Sequence, residues 1–208
     1  MKSAVRRGQG SRGGTYAPEE TRRLLLEAAT DLIDERGYHA TSVEAIVSAA
    51  GVTKGAFYYH FDGKEDVLHQ IQDDYIDNRL RNCERVIAST SDPAEQLREL
   101  IYEAIVGIEK YRAQVSIFMQ ERRFLRDHDF AAIKEKRDLV DGFYFSVIQR
   151  GMEQGVFSSE ASARIVSFSV LGMCAWASAW FKPGGPMSPR EVADEMTALV
   201  LEGLKPAA

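Results

Sequence analysis

Apolar residues recur at helical spacing along almost the whole chain, and no run alternates with the period of a strand. Pro18 stands at a first helical position, with Glu19 and Glu20 in the first turn. Leu25, Ala28, Ala29, Leu32 and Ile33 then form one buried stripe, which Gly37 ends. A second helix carries Val43, Ile46, Val47 and Ala50, and its start reads as a capping box of Thr41 and Glu44. Gly51 suits a sharp turn with positive φ, Val52 points inward, and Thr53 caps a third short helix. Phe57 is placed to bury against the helix before it, and Phe61 ends the unit. Residues 18–61 thus predict a compact three-helix unit whose last two helices form a helix-turn-helix.

The pattern continues downstream. Asp92-Pro93-Ala94-Glu95 reads as a cap, a first-turn proline and an acid, ahead of Leu97, Leu100, Ile101, Ala104, Ile105 and Ile108. Val115 to Leu125 is a second apolar stretch. A helix is predicted from about Asp138 to Gln154, stopping before Gly155. An apolar helix from Ala161 ends at Pro183-Gly184-Gly185-Pro186, and Ser188-Pro189-Arg190-Glu191 opens a last helix with Val192, Met196, Leu199 and Val200 on one face. The expected fold is all-α. Its expected organisation is a basic arm over residues 1–17, a helix-turn-helix DNA-binding domain over 18–64, and a helical effector-binding and dimerisation domain over 65–208.

Charge narrows the function classes. The 208-residue chain has a net charge of −5, which argues against a non-specific nucleic-acid coat protein. Residues 1–17 nevertheless carry Lys2, Arg6, Arg7 and Arg12 and no acid. That Gly/Ser/Arg-rich run is expected to be disordered when free, serving either as an arm on DNA or as a solvated tail. It lacks the apolar core of a signal peptide. Ile165 to Phe181 holds no charge, but the run is shorter than the ~20 residues of a spanning helix and includes Ser167, Ser169, Gly172 and Ser178. A helix buried on all sides in a cytoplasmic protein is the expectation, with no membrane partner. Cys83 and Cys174 are isolated and read as buried free thiols. His39, His60, His69 and His128 show no ligand partner, and no catalytic arrangement or phosphate loop is present. No enzyme activity, metal or cofactor is expected.

The run GYHATSVEAIVSAAGVTKGAFYYHFDGKEDVL resembles the N-terminal signature of TetR-family transcriptional regulators. Spacing, turn glycine, aromatic pair and the Phe-x-x-Lys ending coincide over roughly residues 20–70. The resemblance implies that Lys54, Gly55 and Tyr58 contact base edges and that Tyr59, His60 and Lys64 contact phosphates. It places Ser42 and Val43 at the phosphate-facing start of the preceding helix, with Thr53 at the start of the reading helix. Lys54 can donate to guanine O6 and N7, and Tyr58 can offer a hydroxyl or pack on a thymine methyl. Glu44 departs from the pattern, since some members carry arginine there. Its carboxylate can accept from cytosine N4 or complete the helix cap.

The run GMCAWASAWFKPGGPMSPREVADEMTALVLEGL resembles the C-terminal end of a TetR subgroup that controls fatty-acid, aromatic-acid and steroid catabolism. Several members of that subgroup sense acyl-CoA thioesters. Trp176 and Trp180, four residues apart, share a helix face and suit either core or ligand pocket. With them, Phe118, Arg122, Phe143 and Met173 make the candidate ligand-binding set. Arg122, Arg123, Arg126, Lys134, Lys136 and Arg137 offer positive charge for an anionic effector, or form a solvated face balanced by Glu121, Asp127, Asp129 and Glu135. Lys182 stands where arginine is commoner. Residues 90–155 match no pattern, so effector specificity is expected there. The two C-terminal helices predict a homodimer through a four-helix interface. The expectation is a one-component regulator, a repressor that binds a palindromic double-stranded operator and is released by a small molecule, with an acyl-CoA as the candidate effector. The alternatives are a regulator responding to drugs or aromatic compounds, or a ligand-binding module without DNA function.

Overall fold

The computed structural model describes residues 17–121 and 124–205. Among these it contains nine helices: α1 (Pro18–Arg36), α2 (Val43–Ala50), α3 (Lys54–His60), α4 (Lys64–Ser89), α5 (Pro93–Lys110), α6 (Arg112–Gln120), α7 (Asp127–Glu153), α8 (Ala163–Trp180) and α9 (Pro189–Gly203). The basic arm, except Ala17, lies outside the described residues, as do Arg122 and Arg123.

Local chemistry sets most of the boundaries. Gly51 adopts φ 68° and ψ 28°, the left-handed conformation that closes the turn between α2 and α3. The Thr53 hydroxyl accepts from Ala56 N–H at 3.1 Å. Asp92 accepts from Ala94 N–H at 2.9 Å, with Pro93 next to it in the first turn of α5. At α9, Ser188 and Glu191 form a complete capping box. The expected box at α2 does not form. Its N-cap is Ser42, which accepts from Ala45 N–H at 3.1 Å. Thr41 is buried, and its hydroxyl donates to the carbonyls of Leu32 and Gly37. With its side chain turned into the core toward those carbonyls, Thr41 leaves the capping position to Ser42.

Two other expectations shift. α7 begins at Asp127, eleven residues before the predicted start at Asp138. Its first turns are dense in charge, and the apolar period is hidden there. Asp127 and Asp129 lie in the first turn, where a helix N-terminus favours acids. α8 is long and apolar enough to cross a membrane by length and composition, yet only 22% of it is buried in this chain. One side, with Ser167, Val170, Cys174 and Ala177, packs inward. The other side is open, so the expected all-round burial is not found.

One core runs through the molecule. Leu25, Ile46, Phe57, Val67 and Leu68 are fully buried at one end, and Leu97, Ile101, Ile105, Val147 and Ile148 at the other. α4 bridges the ends. α5 packs most extensively on α9, and α4 and α8 both pack on α7. Tyr144 is buried in the middle, and its hydroxyl donates to Leu100 O at 2.9 Å. Cys83 and Cys174 are buried free thiols whose pKa burial pushes up to about 11. At the end of α7, Phe157 folds back against Gly151, and an added Cβ would meet the ring at 2.2 Å. Gly151→Ala is expected to destabilise the protein by roughly 1–3 kcal/mol, because overpacking outweighs the ~1 kcal/mol gained in helix propensity. Denaturant unfolding of the variant checks this; a midpoint at or above that of the parent chain would contradict the packing.

Candidate DNA-reading face and effector cavity

The α2–turn–α3 unit exposes its polar edge. Phe57 and Phe61 face inward, whereas Tyr58 and Tyr59 are exposed at 58% and 76%. Helix geometry alone divides them: Phe57 anchors α3 in the core, and the next two residues turn away from it. Lys54, Gly55 and Tyr58 share the outer side with Tyr59, and His60 is half-buried at the helix end. Ser42 and Val43 begin α2 nearby, but the Ser42 oxygen is engaged as the cap. A Cβ on Gly55 would meet nothing closer than Thr53 Oγ1 at 3.7 Å, so the fold leaves space there.

Glu44 takes neither of its expected roles in the free chain. Its carboxylate forms an ion pair with Lys54 Nζ, across the turn from α2 to α3. The contact holds the Glu44 carboxyl below its usual range and raises the Lys54 ammonium. Both side chains are more than half exposed, so water and salt screen the pair and it adds little to stability.

Lys64 is engaged within the fold. Its ammonium is turned inward and donates to Tyr38 O at 2.7 Å and Thr41 O at 2.8 Å. It also lies 4.2 Å from the centre of the Tyr38 ring. Two of its three N–H groups are therefore used inside the fold rather than being free for phosphate. Charge-assisted bonds of this kind contribute about 1.5–3 kcal/mol each. The start of α4 is thereby fixed to the loop between α1 and α2.

The same loop reaches the end of α6. Tyr38 N–H donates to Glu121 Oε1 at 3.2 Å, and the Tyr38 ring stacks on Phe124 at 5.2 Å. His39 meets the edge of Phe124 at 4.2 Å. Burial, with the Glu65 carboxylate close by, raises the Tyr38 phenol well above its ordinary pKa, so it stays neutral at physiological pH. α4 and α6 thus both end on Tyr38.

Those two helices also line a cavity of about 420 Å³. Gln72 and Arg79 face it from α4, Phe118 and Met119 from α6, Ile133 and Arg137 from α7, and Leu171 from α8. Arg137, Lys134 and Asp141 also line an adjoining groove between α7 and α8, where Arg164 stands, so the cavity leads toward the surface. Gln72 is 0% exposed, and neither its amide nitrogen nor its oxygen has a partner. Leaving such groups unpaired costs roughly 1–3 kcal/mol each. Arg79 is partly buried. Burial opposes its charge, but Tyr75, Tyr144 and the two cysteines around it favour the charged form. Asp141 has its pKa raised by burial, which Arg137 and Arg79 oppose.

Of the predicted ligand set, Phe118 lines this cavity. Trp176 and Trp180 are 69% and 48% exposed on the open face of α8, and Trp176 instead lines a groove of about 720 Å³ between α6 and α8 with Arg112 and Met119. Phe143 and Met173 pack against the core rather than the cavity. Arg122 lies outside the described residues. Of the expected cationic cluster, three residues are paired with acids: Arg126 with Asp129, Lys134 with Asp138, and Lys136 with Asp73 and Asp77 on α4. Sequence reasoning missed Gln72 and Arg79. Their signal was readable, as polar residues seven apart within the α4 stripe of Leu68, Ile76, Cys83 and Val86.

Residues 25–71 match the family described as bacterial regulatory proteins, tetR family, and residues 90–204 match the tetracyclin repressor-like C-terminal domain. The HTH-type transcriptional repressor KstR2 of Mycobacterium tuberculosis is 30% identical over 182 residues, covering 86% of this chain and 90% of that one. The solved structure of the ketosteroid transcriptional regulator KstR2 from the same organism superposes with a TM-score of 0.82 at 29% identity, covering 88% and 94% of the two chains. The TetR family transcriptional regulator PfmR of Thermus thermophilus gives 0.81 at 32% identity, covering 87% and 98%. AibR in complex with isovaleryl coenzyme A and operator DNA gives 0.78 at 28%, covering 86% and 97%. With a helix-turn-helix exposing Lys54, Tyr58 and Tyr59, and both characteristic domains matched in order, this chain belongs to the TetR family of DNA-binding transcriptional regulators.

Proposed function

We propose that this protein is a cytoplasmic, ligand-released repressor that binds a palindromic operator as a two-fold dimer, with an acyl-CoA thioester as its effector. The observation that carries the reading is one shared joint. Two of the helices that line the cavity, α4 and α6, both end on Tyr38, in the loop that leads into the helix-turn-helix. Similarity to the transcriptional repressor KstR2 supports repression, and similarity to AibR, solved with isovaleryl coenzyme A and operator DNA, supports the effector class.

On DNA, α3 enters the major groove. Lys54 leaves Glu44 to donate to guanine, and Tyr58 packs or hydrogen-bonds on a base edge. The space at Gly55 lets the helix backbone approach closely. Tyr59 and His60 reach phosphates, whereas Lys64 acts from within by holding α4 in register. Thioester binding would favour a position of α4 and α6 in which the two reading heads no longer match the ~34–36 Å half-site separation. The coenzyme A phosphates would lie toward Arg137 and Arg164, where the cavity meets the groove.

Support for the dimer comes from the open face of α8. Ile165, Phe168, Trp176 and Trp180 recur there at helical spacing with Gly172 and Ala179 between them, and Leu199 is exposed on α9. An apolar stripe of that length is stable in water only when covered. The small residues let a second α8 approach closely.

Lys54→Ala and Tyr58→Ala are each expected to weaken specific operator binding by roughly 1–3 kcal/mol per half-site, measured by fluorescence anisotropy. Full affinity in both would reject α3 as the reader. Phe168→Asp combined with Trp176→Asp is expected to yield monomer in sedimentation velocity and to lose tight operator binding. A stable dimer would reject the α8 interface. Glu121→Ala is expected to keep operator affinity but to lose roughly 1 kcal/mol of coupling between effector and operator, read as the shift in operator Kd with saturating effector. An unaltered shift would show that the signal bypasses Tyr38.

A further inference from the structure

The acyl-CoA reading leaves open what the buried end of the effector looks like, and the cavity is polar at its inner wall. Gln72 is completely buried with both amide atoms unpartnered. Arg79 follows seven residues later on the same face of α4. Tyr75, Tyr144 and the two buried cysteines surround it, with the Tyr144 hydroxyl in hydrogen-bonding reach, and Asp141 is near enough to feel its charge. A plain alkyl chain entering this space would remove remaining water from a guanidinium and an amide and offer them nothing in return. An oxygen acceptor would take a hydrogen bond from the Gln72 amide N–H and another from the Arg79 guanidinium.

We propose that Gln72 and Arg79 select an effector whose buried, distal end carries an oxygen acceptor, a ketone or a carboxylate, in place of a saturated hydrocarbon terminus. The inference rests on the acyl-CoA assignment and deepens it. Phe118, Ile133 and Leu171 supply the apolar walls for the methylene or ring portion. Arg137, shared between the cavity and the groove, stands on the way to the surface. Asp141 faces the same space and opposes an anion there, but Arg79 and Arg137 together exceed its charge. The ligand is thus polar at both ends and apolar between them. Recognition of the far end is written on α4, the helix that Lys64 fixes to the reading bundle.

The test compares three thioesters of one chain length: octanoyl-CoA, suberyl-CoA with its distal carboxylate, and the corresponding thioester ending in a methyl ketone. Binding is read by isothermal titration calorimetry on the full-length protein, and operator release by fluorescence anisotropy. At least one oxygen-ended thioester is expected to bind about tenfold or more tighter than octanoyl-CoA, because a polar site discriminates against a ligand that leaves it unpaired. Which of the two binds distinguishes ketone from carboxylate. Gln72→Leu and Arg79→Met are expected to erase or reverse that preference. Operator affinity and melting temperature identify the folded variants, and Gln72→Leu, an apolar side chain of similar size, keeps the test open if Arg79→Met fails to fold. Octanoyl-CoA binding as tightly as both oxygen-ended partners, or a preference unchanged in folded variants, overturns the inference and leaves the thioester reading standing. No binding by any of the three overturns the thioester reading and the inference with it.

Discussion

The hydrogen bonding of one half-buried lysine ammonium to two backbone carbonyls sets the geometry on which the rest of this molecule depends. Lys64 opens α4, and its position against Tyr38 and Thr41 fixes how the long helix leaves the reading bundle. The cation lies over the Tyr38 ring, so an aromatic face completes its surroundings. From the other side, Glu121 accepts the Tyr38 N–H and Phe124 stacks on the ring. Tyr38 is therefore held both from the start of α4 and from the end of α6.

The joint gives the cavity its leverage. α4 is one rigid rod, with Gln72 and Arg79 at its middle and Lys64 at its end. Contacts made at the cavity wall bear on the same hydrogen-bonded ladder that is fixed below. Interiors packed around Tyr144, Leu100 and Ile105 do not deform smoothly, so a displaced helix moves as a unit. The cavity polar groups remain unpaired at a cost in stability. Such local costs are concentrated where a ligand is received.

The two faces of α8 divide its tasks. Ser167, Val170, Cys174 and Ala177 join the core, whereas Phe168, Trp176 and Trp180 stand in water in the single chain. Both tryptophans are exposed in the single chain, and Trp176 lines a groove between α6 and α8, next to the cavity that Leu171 and Ala175 line. A helix apolar on every side was legible as such. Which side met its own chain was not, because periodicity gives a face and not its partner.

By itself, the sequence determined the all-α architecture, the helix-turn-helix and most helix ends, because these follow from local chemistry: Gly51 in a left-handed turn, the Thr53, Asp92 and Ser188 caps, and Phe57 at helical spacing from Phe61. It also determined the family, since that signature is local in the chain. Tertiary structure decided whatever depends on distant partners. Thr41 turned from cap to core because the Leu32 carbonyl was in reach, and Glu44 turned to Lys54 across the tight turn. Lys64 ties the start of α4 to the loop before α2, because packing brought the carbonyls of Tyr38 and Thr41 to it across more than twenty residues. Gln72 and Arg79 acquired meaning only when four helices closed around them, since a polar side chain in an apolar stripe is a defect or a site according to what it faces.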